Sequence, residues 1–400
     1  MESNVYKKEK LAGKTILLRV DFNVEIKNNS VQSDFRLRRT LPTIKDIQAA
    51  GAKIILIAHI DDKEGGSLEP VARYLLPHFP KLYFVKDIFA DDAKNTVARM
   101  NNGDVVMFEN LRKWPGEKTN DPVFSAHLAS FGDIYINEAF SVSHRSHASI
   151  VGVPKILPAF IGPAFGEEVR HLSKVFHPER PFFFVIGGAK FETKLPLVQK
   201  FLKLADQVAV MGALANDFFK DQGLFIAESD VSKEIPKEVS EMQTDPKIIL
   251  PIDVVTTYKG ERFQKLPSAI SIGERMVDAG EKTIKALKNI VLESNFILWN
   301  GPLGKSDAGF AEGTESFARA LAASKKSAIV GGGDVVAAIE NLGLMEKFTF
   351  VSSGGGAMLT FLSDETLVGL DAVRVANHKV SSSKPNNPRK SLFARLAELF

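Results

Sequence analysis

Short, nearly continuous apolar runs separated by longer amphipathic stretches restrict what this chain can fold into. In the first part the runs cover 16–20, 54–58, 82–85, 105–108 and 134–136. In the second they cover 182–186, 208–211, 248–250, 296–299, 328–330 and 348–351. Runs this short and this apolar suit strands buried on both faces. The stretches between them, such as 42–50 and 335–342, carry helical spacing, and strand–helix alternation predicts an α/β chain with parallel sheets. Two sheets of five or six strands accommodate the runs better than one continuous sheet. At 400 residues the chain is long enough for two or three domains.

The division is expected within 165–180, where GEEVRHLSKVFHPERP reads as a helix over 166–176 closed by a Pro-bounded turn. That gives a first domain over 1–165, a connecting helix over 166–178 and a second domain over 179–362. A return segment and a polar linker with an amphipathic tail follow over 363–400. In the tail Leu392, Phe393, Leu396, Leu399 and Phe400 share one helical stripe. The stripe suits docking within the chain or an oligomer, with a partner or a membrane surface as alternatives.

Composition narrows the function. The 51 basic and 48 acidic residues nearly cancel, unlike a protein that lives on a nucleic-acid backbone. The absence of cysteine removes disulfides, thiolate metal sites and cysteine nucleophiles. The first residues, MESNVYKKEK, lack the apolar core of a secretory signal, and no run approaches the length of a spanning helix. A cytoplasmic location without a membrane span is expected.

Polar residues follow the early strands. The run 16–20 leads into Asp21 and Asn23, 54–58 into His59, 105–108 into Glu109, Asn110 and Arg112, and 134–136 into Asn137, Glu138 and then HRSH with Arg145. Ligands of parallel α/β sheets sit outside the carboxyl ends of the strands. Arg36 is expected to join them from the loop after the first strand. Arginines and histidines beside one Asp–Asn pair suit a small substrate carrying phosphate and carboxylate groups, because the guanidinium fork meets oxyanions bidentately. Any one of these residues alone would be an ordinary surface ion pair; four converging strand ends argue for a site.

The second half carries glycine-rich turns instead: Gly187-Gly188-Ala189-Lys190 with Lys194, Gly331-Gly332-Gly333-Asp334, and Ser352-Ser353-Gly354-Gly355-Gly356. Such turns let phosphate oxygens approach backbone N–H groups where a helix begins. Asp334 suits a Mg²⁺ ion that bridges nucleotide phosphates. A single such turn is as often a plain connection; three at strand ends point to a nucleotide. GPLGKS at 301–306 is not a P-loop, since Trp299 stands at its first glycine position, and no GxGxxG follows an early strand.

The blocks RVDFNV (19–24), ENLR (109–112), HRSHAS (144–149), GGAK (187–190), WNGPLG (299–304), GGGD (331–334) and SSGGGA (352–357) occur in the order found in phosphoglycerate kinases, and the chain resembles that family from about Lys14 to Val373. The resemblance implies two Rossmann-like domains with parallel sheets joined by an interdomain helix. It also implies reversible, Mg²⁺-dependent phosphoryl transfer from 1,3-bisphosphoglycerate to ADP, giving 3-phosphoglycerate and ATP without a covalent intermediate. Asp21, Asn23, Arg36, His59, Arg112 and Arg145 are similar to the family's substrate ligands. Lys190, Lys194, Gly212, Asn300, Asp307, Gly331, Gly332, Gly333, Asp334, Gly354 and Gly355 resemble the nucleotide side, with Asp334 linked to the metal. Arg36, Lys190, Gly333 and Gly356 resemble the groups around the transferring phosphoryl. A monomer and a hinge near 162–168 are expected.

The chain departs from the family at His59-Ile60-Asp61-Asp62-Lys63, where the usual run is His-x-Gly-Arg-Pro, so an anion, Asp62, stands at the arginine position. Gly212 stands alone in Met211-Gly212-Ala213 in place of a glycine triplet, Val335 replaces a hydroxyl residue, and Asp307 stands at the ribose-binding glutamate position. These departures bear on affinity and nucleotide preference. They also motivate the alternative of a catalytically impaired binding or scaffold homologue, whose tail partner is unknown.

Overall fold

The structure, a computed structural model, describes residues 5–61, 66–189 and 191–382, with the side chains of 191–193 and 378–382 left aside. Asp62, Lys63, Lys190 and the amphipathic tail therefore lie outside the described residues. The chain forms two compact units. The first takes residues up to Glu138, Arg145–Pro163 and the chain from Val368 onward; the second takes Ala139–His144 and Ala164–Leu367. Expected boundaries at 165 and 179 thus give way to a single crossing between Pro163 and Ala164, plus two exchanged segments. The helix there begins earlier than its spacing suggests, at Pro163, and runs to Ser173. Proline is favoured in a first turn, where its missing N–H is not needed.

In the first unit β1 (Thr15–Arg19), β2 (Lys53–Ile57), β3 (Leu82–Val85), β4 (Val105–Phe108), β5 (Ile134–Asn137) and β6 (Ala159–Ile161) form one sheet in the order β3-β4-β2-β1-β5-β6. All its pairings are parallel, with Ile16 between Ile54 and Ile134. Ile16, Leu18, Ile54 and Leu56 bury one face against Leu37, Ile44 and Ile47 of the helix Phe35–Ala49. The edge strand β6 has three residues and follows Pro158, too short to register as a run. The last helix, Val368–Ser382, packs on β6 and on the turn Ala148–Gly152, so the chain's end completes the unit with which it began.

In the second unit β7 (Phe182–Ile186), β8 (Gln207–Val210), β9 (Ile248–Ile249), β13 (Phe296–Asn300), β14 (Ser327–Gly331) and β15 (Phe350–Val351) form a parallel sheet in the order β9-β8-β7-β13-β14-β15. Every residue of β7 and β13 is buried. Three further strands, β10 (Val254–Tyr258), β11 (Glu261–Lys265) and β12 (Arg275–Ala279), make a separate antiparallel sheet in the order β11-β10-β12. Val254–Tyr258 alternates between buried and less buried residues, Glu261–Lys265 has no buried residue, and the buried stretch of Arg275–Ala279 is interrupted by Asp278, so no continuous apolar run marks them. The available signal is Lys259-Gly260, whose φ values of 47° and 85° match a two-residue hairpin turn.

Candidate active site

Because the first sheet is parallel, β1, β2, β4 and β5 all end at one edge, and the residues that follow them collect there. Arg36 arrives on the first turn of the helix Phe35–Ala49, not in a loop, since Asp34 ends the turn and Phe35 begins the helix. Its guanidinium meets both carboxylate oxygens of the buried Asp21, at 3.1 and 3.0 Å. Asn23 accepts from the Asp61 amide at 2.8 Å and donates to the Asp61 carboxylate at 3.3 Å. Asn110 turns inward to hold the following loop: its Oδ1 accepts from the Ile60 amide, and its Nδ2 donates to the carbonyls of Ile60 and Gly66. Glu109 ties down Ser67, Leu68 and Lys113, and Glu138 accepts from Thr43. These three serve the scaffold and leave the anion site to the cations.

The centre of the cluster is Arg19, a charged residue at the end of an otherwise apolar strand and wholly buried. Its Nε donates to Ser149 Oγ at 2.9 Å, and one terminal nitrogen donates to Nδ1 of His59 at 2.9 Å. The buried Glu117 accepts from the Ser149 amide at 2.9 Å and from its hydroxyl at 2.6 Å. A guanidinium can only donate, so His59 Nδ1 accepts and the imidazole proton resides on Nε2. Burial, reinforced by Arg19, Arg112 and Arg145, holds the His59 pKa well below the usual histidine range.

Arg112 donates to Asp61, while its buried Nε and other terminal nitrogen have no hydrogen-bond partner among the described residues. Burial, then the neighbouring Arg145 and Arg19, pushes its pKa down to about 10. Burial and the same arginines, Arg112 foremost, push His147 down to about 4. Buried cations with unfilled donors at a strand-end edge are built for an oxyanion.

Acid should loosen this unit. An imidazole that titrates near 4 when folded and near 6.5 when unfolded binds more protons in the unfolded chain between those values. Stability is therefore lost as pH falls through that window, by up to about 3 kcal/mol from His147 alone. Burial raises Asp278 of the second unit to about 6, so that unit gains stability over about the same window. Urea unfolding at pH 7 and pH 4, with and without His147→Asn, checks the histidine part; an unchanged pH dependence in the variant would refute it.

In the second unit the glycine-rich turns close three strands. Gly187 after β7 lies against the Gly301-Pro302 turn after β13; a Cβ there would come 2.1 Å from the Pro302 carbonyl oxygen, so only glycine fits. Gly332, at φ 100°, precedes the helix Gly333–Asn341, and Gly355, at φ 50°, precedes Gly356–Asp364. Each helix start presents backbone N–H groups that lack partners within the helix. A cavity of about 680 Å³ is lined by Lys194, Asn300, Gly332, Gly333, Asp334, Gly355 and Gly356, and by His144. A second, of about 340 Å³, is lined by Gly212, Asp307 and Asp334, and shares Gly188, Ala189 and Pro302 with the first. Its apolar walls include Phe219, Val254, Met276 and Leu303, which suit a flat heterocycle. Lys194 donates to the Gly187 carbonyl, and Asn300 is buried beside Met358.

Two expected ligands lie elsewhere. Gly331 and Gly354 line neither cavity: Gly331 packs beside Met358, and a Cβ on Gly354 would meet the Phe140 ring at 2.6 Å. They are glycines for packing reasons. Conversely, Arg19, Glu117, Ser149, His147, Asn216 and Asp278 join the two sites without having been singled out. A charge inside an apolar strand was the available signal for Arg19. His147 and Ser149 lie within the HRSHAS block, whereas Glu117 gives no signal, because its role depends on Ser149 and Arg19. Among the described residues no group of three or more His, Asp or Glu side chains forms a metal site of its own. Asp334 beside a phosphate cradle suits Mg²⁺, which is held by one or two carboxylates together with substrate phosphates.

Two α/β units, one gathering cations for a small oxyanion and the other ringing cavities with glycine turns at helix starts, define a small-molecule phosphotransferase. Residues 6–365 match the family model described as phosphoglycerate kinase. The phosphoglycerate kinase of Dictyoglomus turgidum is 36% identical over 381 residues, covering 90% of this chain and 96% of that protein. The one from Rubrobacter xylanophilus is 37% identical over 373 residues, covering 90% of this chain and 95% of that one. The crystal structure of phosphoglycerate kinase from Pyrococcus horikoshii superposes with a TM-score of 0.82 at 30% identity, covering 92% of this chain and 98% of that one. The chain belongs to the phosphoglycerate kinase family.

Proposed function

We propose that the protein transfers a phosphoryl group reversibly between 1,3-bisphosphoglycerate and ADP, giving 3-phosphoglycerate and ATP. The observation that carries this reading is Arg112, a buried guanidinium with two unfilled donors, within a chain that matches the family over 6–365. A β-phosphate oxygen of ADP attacks the acyl-phosphate phosphorus, and the bond from phosphorus to the carboxyl oxygen breaks, releasing 3-phosphoglycerate as its carboxylate. No protein nucleophile is required, because an acyl phosphate is already an activated donor.

The chain's own groups position and screen charge. Arg112, Arg145 and His59 Nε2–H hold the anionic ends of the glycerate, with Asp21 and Asn23 as further ligands. Arg36 and Lys190 balance charge on the phosphoryl oxygens in flight, with backbone N–H groups of Gly333 and Gly356. Lys194, Asn300, Gly212 and Asp307 take the nucleotide, while Gly331 and Gly354 shape the turns around it. Asp334 would hold Mg²⁺ with the nucleotide phosphates, where the ion offsets their charge. Because donor and acceptor bind to different units, turnover requires a hinge near 162–168. The family habit supports a cytoplasmic monomer.

A coupled assay with ATP, Mg²⁺ and 3-phosphoglycerate tests the reading. Turnover is expected; folded protein without turnover at millimolar substrate would instead establish a silent binding homologue. That second reading is not favoured, since Arg36, Lys190, Lys194 and Asp334 are all kept.

A further inference from the structure

Part of the donor set that faces an incoming anion in the first unit is already engaged by a carboxylate of the chain itself. Asp61 accepts from the Arg112 guanidinium and from Asn23 Nδ2 at 3.3 Å, and its carboxylate lies 3.8 Å from His59 Nε2. Those three partners are the ones assigned above to the glycerate. The two basic partners are buried, with side chains of Arg112 and His59 only 6% and 4% exposed, whereas that of Asp61 is 52% exposed. The cations are thus fixed, and the carboxylate sits over them from the solvent side. The family pattern quoted earlier has glycine at this position, so nothing there would fill the donors.

We propose that Asp61 is a resident carboxylate that competes with the substrate anion for Asn23, His59 and Arg112, and so determines the affinity and selectivity of the glycerate site. This rests on the proposed function. An incoming oxyanion either displaces Asp61, giving up its ion pair, or shares Arg112 with it at close range, where like charges repel. Both routes weaken binding, and where Asp61 stays in place its repulsion weakens a phosphate dianion more than a singly charged carboxylate. The exchange is cheap enough to permit turnover, because a half-exposed ion pair is screened by solvent and salt. The two unfilled nitrogens of Arg112 give the incoming group a foothold before Asp61 leaves.

The test compares wild type with Asp61→Asn and Asp61→Gly. The dissociation constant and KM for 3-phosphoglycerate are expected to fall five- to fiftyfold in both variants, while KM for ATP stays in place, and the gain should shrink as salt rises. Unchanged or weakened 3-phosphoglycerate binding in Asp61→Asn would overturn the proposal and make Asp61 a brace for Arg112. If no form binds 3-phosphoglycerate, the proposed function fails. Inorganic phosphate then reads the same residue through the ¹⁵N shifts of His59: tighter phosphate binding in Asp61→Asn sustains the competition, and equal binding overturns it.

Discussion

Replacing Arg36 with alanine is expected to lower kcat by about a thousandfold, the scale on which an arginine that neutralises a phosphoryl group in flight acts. Arg36 stands on the first turn of its helix with both carboxylate oxygens of Asp21 in reach, so its guanidinium is aimed before any ligand arrives. On the role proposed for Arg36, truncation removes a full charge where charge on the phosphoryl oxygens is to be met. Lysine restores the charge without the planar fork, so Arg36→Lys should recover only part of the rate. Asp21→Asn keeps the guanidinium but loosens its aim and should fall between the two. Steady-state kinetics in the 3-phosphoglycerate direction decide the matter. An Arg36→Ala enzyme within threefold of wild-type kcat would remove Arg36 from the chemistry.

The second large effect concerns folding. Glu117→Ala should destabilise the protein by about 3–5 kcal/mol, the usual result of leaving a buried charge without its counterpart. Glu117 is wholly buried and holds Ser149 through both amide and hydroxyl. Ser149 in turn receives Arg19, which sits among Arg112, His59 and His147 with few other anions at hand. Without Glu117 the cluster loses its fully buried anion, and only Asp21 near Arg19 and the half-exposed Asp61 on Arg112 still offset its mutual repulsion. Glu117→Gln keeps an acceptor for Ser149 and should cost less. Arg19→Met in the Glu117→Ala background should restore part of the loss. Urea unfolding of the four proteins in that double-mutant cycle measures the coupling, and additive losses would show that the two residues act independently.

The contrast between what the sequence disclosed and what it hid follows from the range of each interaction. Strands such as Phe182–Ile186 are legible because burial on both faces writes itself into consecutive residues. Ala159–Ile161 and the sheet built on Val254–Tyr258 are not, one being too short and the other half exposed. Lys194, Asn300 and Asp334 were recoverable from local motifs, and a cavity brings them together. Gly331 and Gly354 carry the same local signature but spend it on packing against Met358 and Phe140, contacts that no window of sequence contains. Arg36 belongs to the expected edge but to a helix and not a loop, and Asp34 directly before Phe35 is the helix-start signal that places it there. The motif comparison singles out the charge reversal at Asp62, which lies outside the described residues, whereas the partners of Asp61 come from β1 and β4 ends that are distant in sequence.

The last helix also bears on how the protein comes into being. The first unit's sheet is complete once Ile161 has been made, but its covering helix begins only at Val368. Roughly two hundred residues separate them, a delay of about 10–40 s at ordinary rates of synthesis. Over that interval the nascent first unit leaves the ribosome without the helix that packs on β6 and on the Ala148–Gly152 turn, although the helices Pro115–Thr119 and Pro122–Ala129 already pack on that turn. The residues of the second unit are nearly contiguous, so it can close while the first still waits. The half of the chain made first is therefore the half finished last, and chaperones that hold bare apolar surface have their longest opportunity there.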